Sequence, residues 1–399
     1  MSVSRRFRLA WYAHHLLGET VLIYPVAAIM MGEHGVQPFD LSLLFALWSL
    51  AVVVAEVPTG ALADRVSRRR LLIVSRFVKG CCFLTWFVFP GFWGYLAGFV
   101  CWGVASTLRS GTAESVLHDT LSVAGASEQF ERIYGRAAAA GHFGLVASFL
   151  AGGFLAGRVG FGIPLGLSVA GPWLAAVAIA AGVNDPPRGT ASPEHGETYL
   201  ETLRAGLREA RSSVRLLHVI GMTASIACIW EVFEEYLPVY LDEKGAFTLS
   251  SIGLAFSCAS AATILAAAAA HRLPFRSLRT IALAFGVAGA LLLVSTAASG
   301  VLAAGLLVVS AGVNGGAGVL LAGQLQRAIQ GHARATVTSV AGMGQEVVGI
   351  FLYLAVGVAA GQTDWHGGVG LLAVLALVLC VVFVTLPTRS GGYRLTSPK

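Results

Sequence analysis

Glu56-Val-Pro-Thr-Gly60-Ala-Leu-Ala-Asp64-Arg65-Val-Ser-Arg68-Arg69-Arg70 separates two long apolar stretches, 40–62 and 70–89. An apolar run that ends in a short, strongly basic turn and then resumes reads as two membrane-crossing helices joined by an interfacial loop. The rest of the chain supports that reading. Of 399 residues, 56% are hydrophobic and only 12% charged, and the mean hydropathy is +0.74. A soluble domain carries about a quarter charged residues, so soluble multidomain and disordered classes are excluded.

A span needs roughly 20 apolar residues. Working outward gives twelve: 8–30, 40–62, 70–89, 92–117, 134–157, 162–183, 214–240, 249–270, 279–297, 300–324, 335–360 and 367–386. The fourth is expected to run on to near Leu121. Arg5, Arg6 and Arg8 ahead of the first run suggest a signal peptide, but His14, His15 and Glu19 interrupt it and no small-residue cleavage site follows, so it is read as a span. Connections on one side carry Arg65, Arg68 to Arg70, Arg132, Arg136, Arg188, Arg204, Arg208, Arg211, Arg215, Arg272, Arg276, Arg279, Arg327 and Arg334. Those on the other carry Arg158 and Lys244. This asymmetry predicts an even number of spans with both termini cytoplasmic, in the inner (cytoplasmic) membrane. The net charge of +6 is spread over many short loops, which is not the clustered pattern of a nucleic-acid surface. The six cysteines lie in apolar stretches without metal-ligand spacing, so neither disulfides, a metal nor a cofactor is expected, and the cysteines are read as small buried residues.

The longest connection, 184–213, opens Asn184-Asp-Pro-Pro187, and Tyr199, Leu203, Leu207 with Arg204, Arg208, Arg211 predict a basic amphipathic helix on the membrane surface. It divides the chain into a six-helix bundle at 1–183 and a second at 214–387, followed by a tail at 388–399. A six-plus-six layout is that of a transporter built from two repeats, with the substrate between them. The basic connections after spans 2 and 8 lie about 208 residues apart.

Residues 56–70 resemble the signature between helices 2 and 3 of the major facilitator superfamily, G-x-L-x-D-R-x-G-R-[RK]. Gly60, Leu62, Asp64, Arg65, Arg68 and Arg69 match, and Ser67 stands where the family has glycine. The resemblance implies an all-α integral membrane fold of twelve helices in two pseudo-symmetric bundles. It also implies a gate in which Gly60, Asp64, Arg65 and Arg68 close the cytoplasmic side. Arg109 to Leu121 looks like a helix 4 segment of bacterial drug-efflux-like members, with Glu114 and His118 on one face. Asp119 is expected to pair with Arg68. Arg109 resembles the helix 4 arginine of the family's second motif, without the Gln-Gly that follows it there. Gly141, Gly144, Ser148, Gly152 and Gly153 are similar to a glycine-rich antiporter motif but lack its Gly-Pro; small residues packing at four-residue spacing explain them equally well.

Ionisable groups at span depth are functional candidates by default. Glu19 and Glu346 are the leading candidates for binding and releasing a coupling proton, with Glu56, Glu114 and Arg109 behind them. Glu56 is alternatively a tie between helix 2 and helix 4 or 11. Glu231 and the aromatics beside it are candidates for a substrate cavity, with His15, Trp102, Phe143, Trp230, Asn314 and Gln345. Glu234 and Glu235 are expected in water at the outer surface.

The expected function is secondary active transport of a small organic, amphipathic solute by alternating access, as proton-coupled efflux. An uptake symporter or facilitator is the alternative. A lipid-modifying enzyme ranks lower, because no DxxxD, HExxH or Gly-x-Ser-x-Gly is present, and a primary pump would need a phosphate-binding loop that is also missing. The expected partners are the solute, protons and the lipid bilayer, with no nucleic acid, and the chain is expected to act as a monomer.

Overall fold

The turn at 66–67 is short because both of its ends are chemically closed. In a computed structural model that describes residues 3–185, 208, 211, 213–273, 277–329 and 334–386, α3 (Pro38–Arg65) stops at Val66. Ser67 then caps α4 (Arg68–Val88), its side chain accepting from the Arg70 backbone N–H at 3.2 Å. Serine at the family's glycine position is thus a helix N-cap, which satisfies an orphan donor of the first turn. Arg69 donates to the Ala180 carbonyl at 2.7 Å and pins this corner to α8 (Gly162–Gly182).

The described residues form helices and their connections only. Before α3 come α1 (Arg5–Gly18) and α2 (Ala27–Glu33). After α4 come α5 (Phe92–Arg109), α6 (Thr112–Val123), α7 (Phe130–Val159) and α8. The second half contains α9 (Val214–Met222), a π-helical segment (Thr223–Ala227), α10 (Cys228–Glu243) and α11 (Leu249–Ala269). It ends with α12 (Leu278–Ala297), α13 (Gly300–Ala328), α14 (Arg334–Gln362) and α15 (Trp365–Thr385). Local chemistry starts many of these helices. Ser4, Ser213, Ser277 and Asp364 each accept from a first-turn backbone N–H, and Thr248 with Ser251 forms a reciprocal capping box.

Among the described residues, ten helical segments are long and apolar enough to cross a membrane, so this is a multi-pass membrane protein. The two expected spans outside those ten are interrupted. The first, 8–30, breaks after Gly18 and resumes at Tyr24. Pro25 has no N–H to bond back to Val21 and its ring crowds that turn, so α-helix does not run through it, and the chain resumes as a short 3-10 turn at Tyr24–Val26. The fourth does not run unbroken to Leu121, because the chain turns at Ser110 and Gly111, the latter at φ +67°. That left-handed conformation favours glycine, which has no Cβ to clash. The linker prediction for 184–213 and the tail at 388–399 fall largely or wholly outside the described residues.

α4 packs against α5 and α8, α3 against α5, and α1 against α7 and α8. In the other half α13 packs against α11 and α12, and α12 against α15. The halves meet where α3 runs along α14 and α7 along α11, and where α2 rests on α10. Glycine allows the closest of these approaches. A Cβ on Gly153 of α7 would lie 2.7 Å from the Gly253 Cα of α11, and one on Gly152 would lie 1.8 Å from the Leu22 carbonyl. The glycine stripe of α7 is therefore a packing surface for the interrupted first segment and for α11.

Candidate functional site

The interruption after Gly18 creates a problem that three side chains solve. A helix end inside a bundle leaves carbonyls and amides without partners. The Gly18 carbonyl accepts from Arg76 at 2.9 Å and from Lys79 Nζ at 3.1 Å. Ser168 accepts from the Ile23 N–H at 3.0 Å. Cations suit a helix C-terminus, and both come from α4, three residues apart. Glu19, the first residue past the helix, supplies their counter-charge. Its carboxylate lies 3.2 Å from Arg76, 3.3 Å from Lys79 and 3.9 Å from Arg109. The Arg76 side chain is 1% exposed, whereas that of Arg109 is 44% exposed. Arg109, the last residue of α5, is thus the member of the cluster that faces open space.

Aromatic side chains connect this cluster to the second half. Lys79 Nζ lies 5.5 Å from the ring centre of Trp102, and Trp102 in turn packs against Tyr24, Trp48, Phe83 and Phe99. The Tyr24 hydroxyl donates to the Glu235 carboxylate. Tyr24, Phe45, Trp102, Glu234, Glu235 and Phe256 line part of a small cavity there, with room for about one water-sized group. On α10 and α14, Gln345 donates to Glu231, and Glu346 is close enough to Glu231 for their charges to interact. Glu346 also lies against Ser49 of α3. Glu231 is exposed, while Trp230, Val232 and Phe233 around it are buried. Among the described residues none of Glu231, Glu234, Glu235 and Glu346 has a cation within ion-pair distance. The first half therefore faces the centre with surplus positive charge, and the second with carboxylates.

Both central segments are irregular at corresponding depth. The break at 19–23, advanced by the 208-residue offset of the two basic connections, falls at 227–231, directly beside the π-helical turn at Thr223–Ala227. The first segment is interrupted and the second is an unbroken helix with a π turn; irregular helices at matching positions of two repeats mark candidate binding sites, and π-turns recur at functional positions.

The expected site residues are distributed unevenly. Glu19, Arg109, Trp102, Glu231, Gln345 and Glu346 are drawn toward the centre. His15 is beside Glu19, edge-on to Trp11, with Nε2 buried and unpartnered among the described residues. Glu56 accepts from Ser339 at 3.2 Å and so ties α3 to α14, rather than to α5. Trp230 is buried against Phe233. Phe143 is 70% exposed on α7 with no ring contact among the described residues, and Asn314 is half-buried on α13. Glu114 is exposed on α6. The expectation that Glu234 and Glu235 sit in outer water is corrected, since both are half-buried at the cavity and Tyr24 holds Glu235. Cys258 is exposed, so the cysteines are not uniformly buried. At the corner that opened the sequence reading, Gly60 is half-buried in α3 and Arg68 pairs with Asp119. The side chains of Asp64 and Arg65 lie outside the described part.

Arg76 and Lys79 are the residues that sequence reasoning missed. Two cations three apart within the apolar run 71–89 meet the same criterion that singled out the carboxylates.

Half-to-half contacts run along α3 and α14 from Ser42 to Glu56. Tyr236 donates to Ser42 at 2.8 Å, and Ser257 donates to the Val146 carbonyl at 3.1 Å. A Cβ on Gly357 would lie 2.5 Å from that of Ser42. Toward the basic end, α6 packs against α4, α5 and α7 of its own half.

The sequence profile of the Major Facilitator Superfamily matches residues 15–353. A mutant of the nucleoside transporter NupG is similar in structure, with a TM-score of 0.78 and 13% identity, covering 95% of this chain and 98% of that one. A bacterial homologue of the human lysosomal transporter Spinster, in an inward-facing and unoccupied conformation, has a TM-score of 0.72 and 16% identity over 96% and 95% of the two chains. The peptide transporter POT in complex with sulfate has a TM-score of 0.69 and 14% identity over 95% and 94%. No curated protein sequence matches this chain.

Proposed function

We propose that this chain, which belongs to the Major Facilitator Superfamily and is a transporter rather than an enzyme, moves a small organic solute across the cytoplasmic membrane by alternating access between two six-helix halves. The observation that carries the proposal is the central constellation. Two irregular segments at matching depth face each other, with Glu19, Arg76, Lys79 and Arg109 on one side and Glu231 and Glu346 on the other. In this reading the interrupted segments 5–33 and 92–123 complete a set of twelve spans, divided at the 184–213 connection, and the chain works as a monomer. Both termini and the basic loops face the cytoplasm.

Transport is coupled to protons and runs as efflux. Glu346 is favoured as the coupling group, because it reaches the centre without a cationic partner among the described residues, whereas Glu19 is the counter-charge of Arg76 and Lys79. Glu56, Glu114 and Arg109 remain secondary candidates. Arg68 and Asp119, with Gly60, Asp64 and Arg65, form the cytoplasmic gate. The experiment is solute counterflow in proteoliposomes over a panel of amphipathic solutes, repeated with an imposed pH step. Flux that accelerates when the proton gradient opposes solute movement supports proton-coupled exchange. Flux that accelerates with a parallel gradient identifies a symporter, and no saturable flux of any solute overturns the transport reading for that panel.

A further inference from the structure

We infer that the solute carries an anionic and a cationic group on one apolar body, its anion seated at Arg109 beside the Arg76–Lys79–Glu19 cluster and its cation at Glu231 and Glu346. The inference rests on the transport reading above and names the substrate class of that same site.

The charge balance is the first support. On the first-half side three cations share one carboxylate. Arg76 is held by the Gly18 carbonyl and Glu19, and Lys79 by the same two groups. Arg109 lies 3.9 Å from Glu19, and its half-exposed guanidinium keeps donors free for a carboxylate or phosphate-like oxygen. On the second-half side, Glu231 is exposed and accepts a hydrogen bond from the neutral amide of Gln345. A carboxylate held this way is polarised and unneutralised. Charges with no counter-ion in a poorly solvated centre are costly. A solute with one group of each sign relieves both sides at once, whereas a singly charged solute leaves one side uncompensated.

The second support is what lies between. Lys79 and Glu235 are bridged by the rings of Trp102 and Tyr24, whose centres are 5.8 Å apart. Glu235 is one helical turn on from Glu231 in α10, so these rings form an aromatic wall between the first-half cluster and the helix that carries Glu231, against which an apolar middle packs. Two ring nitrogens next to this wall and cluster, Trp48 Nε1 and His15 Nε2, are buried without a hydrogen-bond partner among the described residues. Buried polar atoms of this kind are normally satisfied, so the packing here leaves polar groups that a rearrangement around a solute with oxygen or nitrogen atoms would satisfy. A proton on Glu231 or Glu346 competes with the solute's cationic group for the same carboxylates, which links the charge requirement to the proposed coupling.

The test is equilibrium binding to the purified full chain in lipid nanodiscs. The probes are matched quartets on phenyl, naphthyl and biphenyl scaffolds: the free amino acid, its methyl ester, its N-acetyl acid and its N-acetyl methyl ester. These present both charges, the cation alone, the anion alone and neither. On at least one scaffold the amino acid is expected to bind about tenfold tighter than each of its three partners. Arg109→Gln should weaken the amino acid and the N-acetyl acid by about tenfold and leave the ester unchanged. Glu231→Gln should weaken the amino acid and the ester and leave the N-acetyl acid unchanged. Both side chains are well exposed, so neither change is expected to unfold the protein. The inference is overturned if an ester, an N-acetyl acid or a neutral member binds as tightly as the amino acid on every scaffold, or if no amino acid binds. Counterflow of the same probes separates this result from the transport reading. Carriage of only neutral or singly charged members keeps transport and rejects the inference, whereas tight amino-acid binding without counterflow keeps the inference and rejects transport.

Discussion

Glu19→Gln gives the sharpest energetic test of the central cluster. Glutamine matches glutamate in size and leaves an oxygen to accept a hydrogen bond, so the substitution removes charge with little change of shape. Its loss leaves Arg76, which is 1% exposed, and Lys79, 11% exposed, without the one carboxylate they pair with among the described residues. Removing one member of a buried ion pair costs about 3 to 5 kcal/mol, because the remaining charge is buried and uncompensated. The Gly18 carbonyl stays in place as an acceptor for both cations, which favours the lower part of that range. At about 2.1 cal/mol/K of unfolding entropy per residue, the loss corresponds to a drop on the order of 4–6 °C in the unfolding midpoint of this 399-residue chain. Arg109→Gln is the internal control. Its contact to Glu19 is long and its side chain is more than a third exposed, so solvent screening limits the effect to below about 1 kcal/mol. The assay is the surviving monodisperse fraction on size-exclusion chromatography after fixed-time heating in detergent, which reads an apparent midpoint. A Glu19→Gln midpoint within a degree or two of the unchanged protein, or an equal fall for Arg109→Gln, would refute the view that Glu19 is the structural counter-charge.

Glu346→Gln should abolish the response of transport to an imposed pH step while solute binding at fixed pH persists; an unchanged pH response removes Glu346 from the coupling role. Asp119→Asn should impair counterflow severalfold and change stability by no more than about 1 kcal/mol, since its pair with Arg68 is exposed; undiminished counterflow removes the pair from the gate. Asp64→Asn should likewise impair transport without reducing the amount of folded protein in membranes. Gly153→Val places side-chain atoms where even a Cβ meets the Gly253 backbone at 2.7 Å. It should force α7 from α11 and raise cysteine-labelling rates at the outer end, and unaltered labelling would show that the close approach is not needed to seal that end.

Much of the architecture was legible because hydropathy and loop charge are collective signals. The apolar runs and the arginines of one set of connections located the helical segments, and residues 56–70 carried the family resemblance. The segments misjudged were those where a local effect overrides the average. Pro25 and the carbonyl left at Gly18 break the first segment inside a run that stays apolar, and Gly111 turns the fourth. The site was legible in part for a similar reason. Glu19, Glu231 and Glu346 stood out as carboxylates at span depth. Arg76 and Lys79 did not, because their purpose depends on a helix end contributed by another segment, and sequence does not show which carbonyl a cation will meet. The misplacement of Glu234 and Glu235 has the same origin. Their proximity to the outer end of α10 suggested water, but Tyr24, from the far half of the chain, covers Glu235.

Alternation between two conformations is the central claim, and it has a direct reading that requires no known solute. Spin labels at Val123 and Val214 report on the basic end of the two halves, and labels at Trp93 and Val301 on the opposite end; all four positions are well exposed. Pulsed dipolar distance measurements on a cysteine-free background in nanodiscs are predicted to show two populations for each pair. Conditions that shorten the Val123–Val214 distance should lengthen the Trp93–Val301 distance. A single invariant distance at both ends across pH and the probe panel, or two ends that open together, would contradict alternating access.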